Sequence, residues 1–231
     1  SASLLIGDTG GATVTYRALS SFGDSSYASS TSLKVDTTPP ATTAHLTGVL
    51  GANSWFVGPV TVSLSPADAT SGVASTTLDG SGYTGPRGYS SQGTTAITYY
   101  STDNAGNTES TQSAAFKIDS QPPTTTDSLS GTLGANGWYI GPVQVTLSAS
   151  DATSGLASTT LDGALYSGPR DYSAEGTTAI SYYSTDNAGN AESAQTADFK
   201  IDSIAPSSSA SLGGTLGANG WYVSPVVITL N

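Results

Sequence analysis

The chain has 231 residues, no cysteine, no methionine, and a net charge of −11 from 17 acidic and 6 basic residues. That balance excludes a general nucleic-acid binder, which needs a basic footprint, and argues against docking on an anionic membrane surface. Without cysteine there are no disulfides, no thiol catalysis and no Cys-ligated zinc, and no run approaches the ~18 apolar residues of a membrane span. Charged residues make up only 10% while Ser and Thr number 72, so the surface is mostly hydroxyl, as suits a secreted protein.

The opening, Ser1-Ala2-Ser3-Leu4-Leu5, has no initiator Met and no basic region, which fits the mature or ordered part of something longer and not a signal peptide. Val14-Thr15-Tyr16 and Leu33-Lys34-Val35 read as short strands, and Asp36-Thr37-Thr38-Pro39-Pro40 as a joint. Two prolines fix φ there and push their predecessors toward extended backbone, so the joint is expected to hold neighbouring domains in line. Val60, Val62 and Leu64 then alternate with Thr61 and Ser63, a period of two that marks a half-buried strand. Asp79-Gly80 is a turn signal. Ala96 to Tyr100 and Ala115 to Ile118 are further strands; Phe116 and Ile118 share a face and Lys117 points outward.

From here the chain repeats itself. Lys34-Val35-Asp36 returns as Lys117-Ile118-Asp119 and Lys200-Ile201-Asp202, 83 residues apart each time. Residues 37–119 align with 120–202 without a gap and are identical at 57 of 83 positions, far beyond chance. Asn136-Gly137 and Asn219-Gly220 are hairpin-turn dipeptides between strand-like segments. Residues 203–231 repeat the opening of the unit, and 1–36 match its closing third. The organisation is therefore 1–36 as the C-terminal part of one repeat, 37–119 and 120–202 as complete repeats, and 203–231 as the N-terminal part of a further one. Turn signals every ~8–12 residues predict all-β, tandem Ig-like β-sandwich domains of about seven strands each, linked by short Pro-Pro joints.

The motifs in chain order are Asp-x-x-Pro-Pro, Asn-Gly-Trp-Tyr, Val-x-Val-Thr-Leu, Asp-x-x-Ser-Gly, Tyr-x-Ser-x-Asp-x-Ala-Gly-Asn-x-Glu and Lys-Ile-Asp. This unit resembles the bacterial extracellular Ig-like repeats related to fibronectin-type and OmpL47-type modules. The resemblance implies stalks of surface proteins, or spacers beside carbohydrate-active enzymes. It covers Asp36 to Asp202 well and both flanks in part; Ser20-Ser21-Phe22-Gly23-Asp24 stands where Asp-Asn-Ala-Gly-Asn is expected.

Four side-chain sets carry possible chemistry. Asp68, Asp103, Asn104, Asn107 and Glu109 recur as Asp151, Asp186, Asn187, Asn190 and Glu192. Hard oxygen ligands near loops suit Ca²⁺, but Asp and Asn also cap turns through their own side chains, and that is the preferred reading. Trp55, Trp138 and Trp221, with Tyr83, Tyr89, Tyr166 and Tyr172, could stack on sugars; aromatics are equally the expected core of a small sandwich. Tyr99 or Tyr100, and Tyr182 or Tyr183, are tyrosine-corner candidates. An isopeptide through Lys34, Lys117 or Lys200 would need a buried lysine, against their outward position.

Catalysis has no footing. The single histidine, His45, becomes Ser128 one repeat later, and no nucleophile–His–acid set can be built without it. The expectation is a non-enzymatic protein with no catalytic, cofactor or metal residues and calcium as the only cofactor worth testing. Its place is extracellular or at the cell surface, as a structural component of a filament, stalk or adhesin. Its partners are copies of itself or adjacent repeats, with surface glycans as a further candidate and no nucleic acid. Head-to-tail strand complementation between the two incomplete repeats is one form of that reading, the completed unit lacking the stretch equivalent to Pro66–Tyr83; a window on a longer array is the other. The alternative function is a carbohydrate-binding or spacer region of a secreted glycan-active enzyme.

Overall fold

A computed structural model describes residues 3–17, 19, 21–23 and 29–231. Among them there is no α-helix, and no helix long and apolar enough to cross a membrane. The chain begins with a hairpin of β1 (Thr9–Tyr16) and β2 (Ser29–Val35). The first complete repeat follows with β3 (Ala41–Thr47), β4 (Trp55–Phe56), β5 (Val60–Ala67), β6 (Val73–Leu78), β7 (Ser81–Gly82), β8 (Arg87–Tyr89), β9 (Gly93–Asp103) and β10 (Gln112–Ile118). Its two sheets have the orders β3-β5-β8 and β4-β10-β9-β6-β7.

The second repeat has β11 (Thr124–Ser130), β12 (Trp138–Tyr139), β13 (Val143–Ser150), β14 (Leu156–Leu161), β15 (Ala164–Leu165), β16 (Arg170–Tyr172), β17 (Gly176–Asp186) and β18 (Gln195–Ile201). Its sheets repeat the same orders, β11-β13-β16 and β12-β18-β17-β14-β15. A last hairpin joins β19 (Ala210–Gly213) to β20 (Val227–Leu230). The fold is an all-β, Ig/fibronectin-III-like sandwich set in tandem. Each complete repeat has eight strands against the seven expected, because the two-residue strands flanking the Trp loop and the Asp-Gly turn are too short to show a period.

By compactness the chain divides into two units, one of Ser1–Thr125, Ala149–Thr160 and Tyr183–Ser193, the other of Thr126–Ser148, Leu161–Tyr182 and Ala194–Asn231. The first unit holds a core of Val60, Val62, Leu64, Leu78, Ile97, Tyr99, Phe116 and Ile118. The second holds Val143, Val145, Leu147, Leu161, Ile180, Tyr182, Phe199 and Ile201, each 83 positions on. The alternation in β5 puts Val60 and Val62 fully out of water, and full burial stabilises each by about 1.5–3 kcal/mol. Tyr89 meets the Phe116 ring edge-on at 5.5 Å, and Tyr172 meets Phe199 at the same distance.

The turn dipeptides behave as their chemistry requires. Asp79 and Gly80 take φ of 49° and 71° and close a two-residue hairpin between β6 and β7. Asn136 and Gly137 take 56° and 76° ahead of β12. These left-handed pairs match the right-handed twist of the strands they join. In the first repeat Asn53 and Ser54 stand at the corresponding place, and Ser54 carries φ 61° without glycine's freedom.

The last hairpin differs from its counterparts in exposure. Val143, Val145 and Leu147 are buried, whereas the corresponding Val226, Ile228 and Leu230 are 41%, 63% and 77% exposed.

Candidate acidic site and loop seat

The acidic residues gather where one repeat hands over to the next. Asp36 at the end of β2, Asp68 after β5 and Asp103 at the end of β9 each bring a carboxylate oxygen within 4.8 Å of the others. Asp119, Asp151 and Asp186 do the same one repeat later. The loop Asp68-Ala-Thr-Ser-Gly winds around its own first side chain: Asp68 Oδ1 accepts from the backbone N–H of Thr70 (3.2 Å), Ser71 (2.9 Å) and Gly72 (2.7 Å). Asp36 Oδ2 accepts from the same Ser71 N–H at 3.0 Å and Oδ1 from Thr38 N–H at 3.1 Å.

Asp103 holds the following turn. Its Oδ1 accepts from the N–H groups of Ala105 (2.9 Å) and Asn107 (2.8 Å), its Oδ2 from the Asn107 amide (2.8 Å). The same amide reaches the Asp36 carbonyl at 3.0 Å, and the Asn104 amide reaches the carbonyls of Ser71 and Gly72. Burial pulls the Asp103 carboxyl upward, but donation from the Asn107 side chain and from the N–H groups of Asn107, Gly106 and Ala105 outweighs it, so the group lies below the ordinary carboxylate value. Asp151, Asp119, Asp186 and Asn190 repeat these contacts.

The trio is not the one expected. Asp68 and Asp103 come together, but the third carboxylate is Asp36, and Asp119 in the next repeat. Glu109 lies elsewhere: it accepts from Thr42 N–H (3.1 Å), the Thr42 hydroxyl and Ser101 N–H (2.7 Å). Glu192 does the same for Thr125 and Ser184. Both glutamates tie the first strand of a repeat to its longest. The trio offers the hard oxygens a divalent cation needs, though calcium takes about six to eight and these carboxylates already accept N–H donors.

The aromatic and basic candidates are taken up by packing. The Tyr83 hydroxyl accepts from Leu64 N–H at 2.9 Å, and Tyr166 from Leu147 N–H at 2.9 Å. Tyr89 donates to Asp79 Oδ2 at 2.6 Å, as Tyr172 does to Asp162. Burial, with the Asp79 and Asp162 contacts behind it, pushes both phenols above their ordinary value. Tyr182 donates to the Asp127 carboxylate at 2.7 Å. Trp55 and Trp138 are half-buried under Lys117 and Lys200, whose ammonium groups lie 4.8 and 5.7 Å from the ring centres. Trp221 is 76% exposed. His45 is exposed on β3, its ring nitrogen facing the Thr43 hydroxyl at 3.4 Å. In the departing segment of the first partial repeat, Ser20 and Asp24 lie outside the described residues.

The loop ahead of β4 makes a contact no motif announces. Ala52 N–H donates to the Ala188 carbonyl at 2.7 Å, and the Asn53 amide to the Asn187 carbonyl at 2.8 Å. Lys117 Nζ donates to the Asn53 carbonyl at 3.2 Å. A Cβ on Gly51 would stand 2.3 Å from the Ala188 oxygen, so glycine alone permits this approach. Ala188 is fully buried.

No protein-family model and no curated protein matches this chain. Among solved structures, the fibronectin(III)-like modules of Clostridium thermocellum CbhA are similar, at 11% identity and a TM-score of 0.33, over 70% of this chain and 95% of that one.

Proposed function

We infer that the chain is a structural component of an extracellular filament, stalk or surface adhesin, built from consecutive sandwiches that grip one another directly. The observation that carries this reading is the loop at 51–53 bonded to the turn at 187–188. Consecutive repeats are thereby joined by a backbone hydrogen bond and a side-chain amide bond as well as by the chain itself. The side chains with chemical capacity act in the same sense: Asp36 and Asp119 each bind a loop of the repeat that follows them. The function is mechanical and not catalytic, and the partners are neighbouring repeats or copies.

Single-molecule stretching tests it. Each 83-residue repeat should unfold as a separate event and release about 300 Å of chain at ~3.6 Å per residue. A chain that extends without discrete events would refute a mechanical role. Exposed Trp221 is what favours the alternative of carbohydrate binding. Under that alternative, glycan binding disappears in Trp221→Ala and stretching events are irrelevant to activity.

A further inference from the structure

Asp-Gly occurs twice in the chain, at Asp79-Gly80 and Asp162-Gly163, once in each complete repeat. It is an aspartyl pair prone to close on itself. With no Cβ on the second residue, its amide nitrogen can reach the aspartate Cγ. An N–Cγ bond forms as a Cγ–O bond breaks, and the oxygen leaves as water with the carboxyl and N–H protons. Water then opens the succinimide ring, and opening at the backbone carbonyl leaves the chain running through Cγ, as isoaspartate. No neighbour crowds either glycine, since a Cβ at Gly80 or Gly163 would meet nothing within 4 Å. The carboxylates, in contrast, are held on both oxygens. Asp79 Oδ1 accepts from Thr98 N–H at 2.9 Å, and Oδ2 accepts from the Tyr89 hydroxyl at 2.6 Å with Arg87 Nη1 at 3.8 Å. The Asp79 N–H donates to the Thr98 carbonyl at 2.8 Å, so backbone and side chain are fixed to the same residue. Asp162 repeats every contact with Ser181, Tyr172 and Arg170.

We propose that these two turns are latent isoaspartate sites, held unreacted by the bonds from Tyr89 and Thr98, and from Tyr172 and Ser181, and released when their repeat unfolds. Ring closure requires the carboxyl to turn back onto its own glycine nitrogen, which breaks both bonds. The folded chain therefore reacts only through the fraction in which they are open. The product does not fit the turn. Asp79 and Gly80 are the whole loop between Leu78 and Ser81, which pair directly. Isoaspartate adds one backbone carbon to a loop whose φ of 49° and 71° already match the twist of its strands. A repeat that isomerises while unfolded cannot re-form this hairpin. Time spent unfolded is thus recorded irreversibly, at Asp79 for the first complete repeat and at Asp162 for the second. The lock lies wholly within each sandwich and holds whatever role the chain performs.

The full chain is incubated at neutral pH in heavy-oxygen water, folded and in urea, then digested and mapped by liquid chromatography and mass spectrometry. Isoaspartate appears as a peptide isomer of shifted retention that carries heavy oxygen. The expected result is that both sites react at least about tenfold more slowly in the folded chain, because the bonds to each carboxylate must open first. Tyr89→Phe removes the hydroxyl and keeps the ring against Phe116. It should speed the folded reaction at Asp79 about fivefold or more and leave Asp162 as in the unmodified chain, with Tyr172→Phe doing the converse. Equal rates in the folded and urea-unfolded chain overturn the lock. So does a Tyr89→Phe chain of unchanged circular dichroism in which Asp79 reacts no faster, or in which Asp162 accelerates equally. Should Tyr89→Phe fail to fold, the ratio of folded to unfolded rates in the unmodified chain decides alone. After ageing in urea and dilution, the chains that refold should be depleted of isoaspartate at both sites. Equal isoaspartate in the refolded and unrefolded fractions would overturn the record of unfolding.

Discussion

Glu109 is the clearest test of how a repeat is held closed. Its carboxylate takes the Thr42 N–H, the Thr42 hydroxyl and the Ser101 N–H, linking β3 to β9 across the two sheets. Ser101 is fully buried and Thr42 nearly so. In Glu109→Ala the Ser101 N–H loses its acceptor, while the hydroxyl chain Thr42–Ser101–Thr76 keeps its own bonds of 2.7 and 2.9 Å. An unsatisfied buried donor costs about 1–3 kcal/mol, and the Thr42 N–H adds a smaller loss because water can approach from the half-exposed Glu109 side. The expected total is about 3 kcal/mol, a fall of roughly 10–20 °C in the melting temperature of the affected repeat. Glu109→Gln retains one oxygen for Ser101 and turns a donor toward Thr42, so it should cost about 1 kcal/mol. Glu192→Ala should match Glu109→Ala in the second repeat, with additive losses in the double variant. Urea and thermal unfolding followed by tryptophan fluorescence and circular dichroism measure all four. A shift below about 2 °C for Glu109→Ala would show that the carboxylate is a surface group and refute the reasoning.

Four other outcomes follow from the same geometry. Ser54→Gly removes a left-handed non-glycine residue and should raise stability by about 1 kcal/mol, with Gly137→Ser costing the same in the second repeat; equal stabilities in urea would contradict this. Gly51→Ala drives a Cβ into the Ala188 oxygen and should destabilise the seated loop by about 1–3 kcal/mol and speed amide exchange at Ala52; unchanged exchange there would mean the loop does not hold its seat. Asp103 lies below its ordinary value of 3.8, so its contribution is present above that pH and is lost as pH falls through the lower folded value; Asp103→Asn should lower the melting temperature most at neutral pH, flatten the acid limb, and converge with the unmodified chain at the lowest pH, and an equal loss at every pH would contradict this. The aspartate trios are already bonded by N–H donors, so a chelator should leave the melting temperature unchanged, and a rise of several degrees in millimolar calcium would make them a metal site.

Much of the fold was legible because the signals were local or repeated. The alternation in Val60, Val62 and Leu64 predicted the inward face of β5, and the 83-residue offset predicted a second core aligned position for position. Asp79-Gly80 and Asn136-Gly137 announced turns that only left-handed residues make cheaply. The acidic site was legible only in part. Asp68 and Asp103 carry the Asx-turn spacing that draws attention, whereas Asp36 reads as the end of a strand beside two prolines. Nothing local tells that its carboxylate returns to Ser71, 35 residues on. Glu109 fails for the opposite reason: it sits close in sequence to Asp103, but the turn between them points its side chain the other way, to Thr42. Sequence proximity groups acids, and only the strand register sorts them.

The loop at 51–53 escaped for a deeper reason. Its glycine and asparagine read equally well as a hairpin turn, and in the second repeat that is what they make. The difference lies in what faces them. A Cβ at Gly51 would meet the Ala188 carbonyl and also Val57 of its own turn, as Gly134 and Gly217 would meet the equivalent Ile140 and Val223. A glycine that its own turn already requires also admits the neighbouring repeat, so nothing within one repeat announces the contact. The two uses part only where consecutive repeats meet, so gripping is a property of the joint and not of either sandwich. It follows that loss of the Ala52–Ala188 bond should affect the coupling between repeats more than the stability of either. Amide exchange at Ala52, whose N–H is itself the bond across the joint, would register that loss before any global unfolding does.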